Sequence, residues 1–358
     1  MELGERDSTE NFTMDPKRIT VYQELESKIG DTPLREYWGQ VPNSNRIFIK
    51  DETANPYGSH YDRVYLRLFR HYEGLGKINP SRGVFETTTG SAGISFAGIG
   101  KELGYECHVA IPDGGEQARV EAIKALGATV YLTPAEDYVA AFPKWSKNFY
   151  KRTRNYPLNH SMGKDRRNNE VTLSALEGIA YEAIDQLRSL CTPPDYFIPA
   201  IGNGSSVLGP GRVFKCEILG IKIVGFETFQ SAHAFEKMWT GKYETEYGIK
   251  PGTLTRHRVP GTSFPGIDFP HLRNAIKDKV LDDVVLISDA QMNEEYKRLT
   301  GRKAPTLPQW DTSIEDNYYN TLGRSTRAGI NVVLSLAEKD HNKSFVVIAY
   351  DKANRYNS

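Results

Sequence analysis

Cysteine is scarce in this chain: there are three in 358 residues, Cys107, Cys191 and Cys216. Separations that wide match neither a disulfide framework nor a zinc-ligand spacing, so no metal site is expected and a reduced, cytoplasmic setting fits. Excess charge of one sign is missing too, because 45 lysines and arginines face 45 aspartates and glutamates. A balanced chain offers no bulk electrostatic attraction to nucleic acid or to an anionic membrane. Long apolar runs are also absent, none reaching the about 18 residues that mark a membrane-spanning helix. The N-terminal M-E-L-G-E-R-D-S-T-E lacks the apolar core of a signal peptide. These absences leave a soluble globular protein, and at about 150 residues per domain its length suggests roughly two domains.

What is present is an alternation of apolar strands and helical patterns. Strands are expected over residues 46–50, 83–86, 108–111, 129–132, 196–200, 222–227 and 345–350. Helices are expected over 61–74, 94–103, 116–126, 170–190, and from the loop after 200 to 219. Strands separated by helices of ten or more residues form βαβ units, hence parallel sheets covered on both faces. The expected fold is two open parallel-sheet α/β domains. Residues 1–17 read as a flexible arm, 46–159 as a smaller domain, and 18–45 with 160–358 as a larger one. The stretch 229–283, rich in Gly, Pro, Thr and His, is irregular, a feature of functional or mobile segments.

Two strand-to-helix loops can carry chemistry. In the first, Gly202-Asn203-Gly204-Ser205-Ser206, glycines let successive N–H groups point into one concavity at a helix N-terminus, and two hydroxyls add donors. That donor set suits a phosphate monoester, although no Walker lysine follows and the Rossmann spacing is missing. The second runs T-T-T-G-S-A-G over residues 87–93. Its hydroxyls can cap a helix, or the helix start can hold a carboxylate.

Six stretches stand in order: I-G-D-T-P-L (29–34), K-D-E-x-x-N-P-x-G-S (50–59), E-T-T-T-G-S-A-G-I-S-F-A (86–97), A-x-K-A-L-G-A-T-V (122–130), G-N-G-S-S (202–206) and V-V-I-A-Y-D-K-A-N-R-Y (346–356). Together they resemble the fold type II pyridoxal-phosphate enzymes of the cysteine synthase and tryptophan synthase β type, over nearly the whole chain. The resemblance implies that Gly202, Asn203, Gly204, Ser205 and Ser206 hold the cofactor phosphate. It implies that Thr88, Thr89, Gly90, Ser91 and Ala92 grip the substrate carboxylate, that Thr326 bonds the pyridine nitrogen, and that Asn159 and His160 line the substrate side. An amino-acid substrate and a homodimer follow from the same likeness.

Three positions depart from the pattern. The lysine that holds the cofactor as an imine is replaced by Tyr61, the asparagine that contacts the cofactor's phenolic oxygen by Ser91, and the serine of the tail motif by Lys352. A phenol forms no imine, and at its ordinary pKa of about 10 it is a poor base at neutral pH unless neighbours such as His60 or Arg63 lower it. Lys50 reads as structural, and Lys352 is the other lysine near the motif loops. Three readings stay open. One is a lyase or synthase that holds pyridoxal phosphate, alone or already joined to an amino acid, without a covalent bond. A second is a non-catalytic ligand- or partner-binding homologue. The third is an enzyme of another phosphorylated ligand with Tyr61 and His60 as acid and base.

Overall fold

The structure is a computed structural model and describes residues 15–255, 267–311 and 321–356. Two sheets organise it. The larger contains β1 (Leu34–Glu36), β2 (Arg46–Asp51), β7 (Tyr196–Ile198), β8 (Lys222–Thr228), β9 (Asp283–Ile287) and β10 (Ser344–Ala349), in the order β1-β2-β10-β7-β8-β9. The smaller contains β3 (Val84–Thr87), β4 (Cys107–Pro112), β5 (Thr129–Thr133) and β6 (Tyr156–Pro157), in the order β5-β4-β3-β6. All pairings between these strands are parallel except β1 with β2. This is the α/β architecture that the alternating pattern predicts.

Burial explains the strand sequences. Inner strands covered on both faces read as unbroken apolar runs rather than alternating ones. Strand β10, S-F-V-V-I-A, is buried throughout. It aligns Val347 with Ile49 on one side and Ile198 on the other. One face of the large sheet packs Ile47, Ile49, Ile198, Phe226 and Val347 against Ile330 and Val333 of the helix Arg324–Ala337. The helices Glu170–Ser189 and Ser205–Glu217 pack closely on each other, each burying an apolar face in the main core. Among the described residues, no helix is long and apolar enough to cross a membrane.

Three boundaries differ from expectation. Strand β2, expected in the smaller domain, pairs with β1 and β10 and so belongs to the larger sheet. Its buried Phe48 and Ile49 lie beside Val346 and Val347 of β10. Pro16 and Lys17, expected in a flexible arm, open the helix Pro16–Glu26, whose first turn the Asp15 side chain caps; residues 1–14 lie outside the described residues. Within 229–283, the helices His233–Met238, Lys242–Tyr247 and Pro270–Lys277 form, and 256–266 lie outside the described residues.

A buried ionic cluster ties β2 to two helices. The Lys50 ammonium bonds the Thr32 carbonyl at 2.5 Å and Glu182 at 2.7 Å. Arg63 bonds Glu52 at 2.7 Å and Glu182 at 2.5 Å. Burial disfavours the Glu182 carboxylate, but the hydrogen bonds and charge of Arg63, with Lys50, outweigh it and bring its pKa down to about 2. A depressed carboxylate contributes stability above its unfolded pKa that is lost as pH falls through the folded one, so acid unfolding should draw on this cluster between about pH 4.5 and 2. Arg63→Leu leaves Glu52, fully buried, without its cation. A chemical denaturation curve should show about 3–5 kcal/mol of lost stability, the usual cost of breaking a buried pair. A loss below about 1 kcal/mol would show that the cluster is solvated in solution.

Candidate active site

Four strand C-termini feed one cleft, where parallel α/β sheets gather ligands. Strand β2 leads to Ser59-His60-Tyr61, β3 to Thr88–Ser91, β7 to Ile201–Gly204 and β10 to Tyr350-Asp351. All four loops line a cavity of about 840 Å³, within the range of small-molecule sites.

Gly202, Asn203, Gly204 and Ser206 form one wall of it. Gly204 sits at φ 90°, and a Cβ there would come 2.3 Å from the Leu272 backbone nitrogen, so only glycine fits. The Asn203 side chain accepts the Ser205 N–H at 2.8 Å, which folds the loop over the start of the helix Ser205–Glu217. Ser205 is buried with its Oγ unpartnered, and Ser206 Oγ lies 3.3 Å from His60 Nε2. Ser205, expected among the phosphate contacts, does not line the cavity; the two glycines and the Ser206 hydroxyl at the helix N-terminus fit an anion.

The second loop lines the same cavity through Thr87, Thr88, Thr89, Ser91 and Ala92. Gly90, at φ 146°, does not line the cavity, and a Cβ there would strike the Arg119 side chain. Thr88 Oγ1 is used within the loop, accepting the Gly90 N–H at 3.0 Å. Ser91 Oγ donates to Asp351 at 2.5 Å, and Arg119, buried, reaches the same carboxylate at 3.2 Å. Tyr356 OH donates to it at 2.8 Å.

Tyr61 starts the helix Tyr61–Gly74 and presents a half-buried ring to the cavity. His60 packs on it at 4.0 Å between ring centroids, and His160 meets it edge-on at 5.2 Å. The expected lowering of the Tyr61 phenol is not found. Burial, reinforced by the Glu86 carboxylate, pushes its pKa well up, so the phenol stays protonated at neutral pH. Arg63 cannot oppose this, since Glu52 and Glu182 engage its guanidinium. Burial also holds the imidazole of His60 neutral, down to about 4.

His160 is held more firmly than its neighbours. Tyr65 OH lies 3.0 Å from its Nδ1 and Glu86 Oε2 3.2 Å, while its backbone N–H donates to Glu86 at 3.1 Å. Tyr65 OH itself donates to Glu86 at 3.1 Å. Asn159, at φ 47°, lines the cavity beside it.

Two expected contacts fall one residue away. Thr326 Oγ1 accepts the Tyr350 N–H at 3.1 Å, and Ser325 lines the cavity in its place, because successive helical residues point about 100° apart. Lys352 is exposed and bridges to Leu322, whereas Asp351 turns inward, as neighbours in extended chain must. The motifs do not point to Glu86, Arg119 and Asp351 as site residues. A charged residue ending an apolar strand, as in V-F-E-T and I-A-Y-D, is the signal that marks two of them.

A family model described as pyridoxal-phosphate dependent enzyme matches residues 25–305. The chain belongs to this family. Among its relatives, this family member is 28% identical over 276 residues to a "Probable cysteine synthase" of Bacillus subtilis, covering 77% of this chain and 81% of that one. It is 30% identical over 244 residues to the cysteine synthase of Aquifex aeolicus, covering 66% and 70%. A hydrogen sulfide-producing enzyme of Fusobacterium nucleatum superposes with a TM-score of 0.73 at 22% identity, covering 93% and 99%, and shares the fold. The family member is thus cysteine-synthase-like, of a group whose cofactor is pyridoxal phosphate.

Proposed function

We propose that this chain holds pyridoxal phosphate in the cavity without a covalent bond and acts on a small amino acid by elimination or replacement. The observation that carries this is the shared cavity: the anion-binding loop Gly202–Ser206 and the loop Thr87–Ser91 face it together, with Tyr61 where the resembled enzymes have their lysine. Gly202, Asn203, Gly204 and Ser206 would hold the phosphate, and Ser325 would face the pyridine nitrogen. Bound there, the cofactor would supply an electron sink for charge developing on the substrate.

The chain's own residues divide the remaining work. The protonated Tyr61 offers an O–H donor to the ligand and acts as acid rather than base. A proton on His160 Nδ1, shared with Tyr65 and Glu86, would leave a lone pair on Nε2 to accept the substrate proton, the arrangement of a base oriented by a carboxylate. The proposed assembly is a homodimer, whose interface would cover apolar surface such as Leu132 and Leu219.

One observation favours a second reading, a non-catalytic ligand-binding homologue. Asp351 already satisfies Ser91 and Arg119 at the loop expected to hold the substrate carboxylate. Exchange of a bound amino acid's α-proton with solvent deuterium separates the two: the enzyme exchanges it and the binding protein does not.

The non-covalent reading has a direct consequence for affinity. Pyridoxine 5'-phosphate, which has an alcohol in place of the aldehyde, should bind within about threefold of pyridoxal phosphate in a fluorescence titration. A lysine imine would instead favour the aldehyde by about a hundredfold or more, the scale of an added bond worth about 2.7 kcal/mol.

A further inference from the structure

We infer that His60 is the cationic member of the phosphate socket and takes up a proton when a phosphate monoester binds. The inference rests on reading Gly202–Ser206 as a phosphate loop, and it adds a charge that the loop itself lacks. Among the described residues, the loop and its helix start offer only neutral donors, N–H groups and the hydroxyls of Ser205 and Ser206. His60 comes from a different element, the start of the helix Tyr61–Gly74, and its Nε2 already lies 3.3 Å from Ser206 Oγ. Its Nδ1 is buried without a partner, and Ser205 Oγ, one residue from that contact, is likewise unmet. The ring is fixed between Tyr61 at 4.0 Å and Tyr350 at 5.1 Å, so it cannot swing out to water. Tyr350 is itself pinned, its phenol oxygen accepting the Ala200 N–H at 2.8 Å.

The charges facing His60 favour a switch that waits for the anion. Glu52 and Asp351 favour its cation, whereas His160 and Arg63 oppose it. Glu52 and Arg63 are paired with each other, and Asp351 is spent on Ser91, Arg119 and Tyr356, so little of either sign is left over. Burial then decides, and the ring is neutral until a ligand brings charge. A phosphate dianion against Nε2 supplies the missing counter-charge, converting a neutral hydrogen bond into a charge-assisted one.

The sign of the pH dependence follows. The ligand prefers protonated His60, so its binding raises the histidine pKa and consumes protons. Above about pH 7 the monoester is already dianionic. There affinity should fall as pH rises, by up to tenfold per unit, until the bound-state pKa is passed.

Isothermal titration calorimetry of the full chain with pyridoxine 5'-phosphate, at about pH 7.5 in buffers of different ionisation enthalpy, counts the protons. The wild type should take up close to one proton. His60→Gln, which keeps a neutral donor but cannot carry charge, should take up close to none and bind about 10- to 100-fold more weakly, as loss of a charged hydrogen bond does. Wild-type binding without proton uptake overturns the inference and leaves the cofactor reading standing. Uptake that persists in His60→Gln overturns it as well, because another group then titrates. Failure of the wild type to bind removes both readings together. The wild-type proton count decides even if the variant is unstable.

Discussion

Tyr61→Lys should turn the protein yellow when pyridoxal phosphate is added. Residue 61 begins a helix, lines the cavity and has His60, His160 and Glu86 around it. A lysine there enters a partly buried site, and desolvation lowers an amine's pKa, so a larger neutral fraction is available to attack the aldehyde. The imine appears as a shifted visible band that borohydride converts to an amine fixed on residue 61, whereas in the wild type the same treatment leaves only the free alcohol. A variant that binds the cofactor yet gains no imine band and no borohydride-fixed label would mean that residue 61 does not face the aldehyde. Tyr61→Phe complements it. Removing only the hydroxyl should lower any turnover by about 10²–10⁴, the value of a positioned proton donor. Full activity in Phe would assign Tyr61 to packing and favour the binding-protein reading.

Ser206→Asp should abolish binding of phosphorylated ligands altogether. The new carboxylate sits at the helix start where the anion belongs, and repulsion within a desolvated site costs several kcal/mol. Gly204→Ala should be nearly as severe by a different route. Its φ of 90° is strained for any L side chain, and its Cβ would press on the Leu272 backbone, closing the loop. Ser206→Ala, which removes one donor and adds no charge, should weaken binding by only about tenfold. Unchanged affinity in both Ser206→Asp and Gly204→Ala would reduce the loop to a structural turn.

The parts of this molecule that are legible in its sequence are those set by local physics. Strands such as β4 and β10 announce themselves because burial on both faces demands continuous Val, Ile and Phe. The helix Tyr61–Gly74 matches expectation at both ends, and its Val64, Leu68 and Phe69 recur at helical spacing on the buried side. The helix Phe142–Thr153 is not legible in the same way. Its aromatics serve tertiary stacking, Trp145 on Phe149 at 4.6 Å and both against Phe85, a partner on a distant strand. The short strands β1 and β6 owe their form to neighbouring strands rather than to their own composition.

The site divides the same way. Both anion loops can be found because glycine and hydroxyl residues at a strand end have a local meaning. Arg119 cannot, because it meets Thr89 and Asp351 only once its helix has packed, and Glu86 and Asp351 carry only the weaker signal of a charge at the end of an apolar strand. The shifts from Thr326 to Ser325 and from Lys352 to Asp351 have one cause. Which of two adjacent residues faces a cavity depends on the phase of the helix or strand, and a motif gives position without phase. The expected tuning of Tyr61 by Arg63 fails because neighbours in sequence need not be neighbours in charge: Arg63 turns to Glu52 and Glu182.

Borohydride reduction of the purified wild-type protein with pyridoxal phosphate, followed by peptide mass spectrometry, tests the central claim most directly. The account predicts that bound cofactor leaves as the free alcohol on denaturation, with no stoichiometric adduct on any peptide. Stoichiometric label on a lysine, whether Lys147 or Lys151 of the cavity lining, buried Lys50 or exposed Lys352, would contradict it and restore an ordinary lysine mechanism.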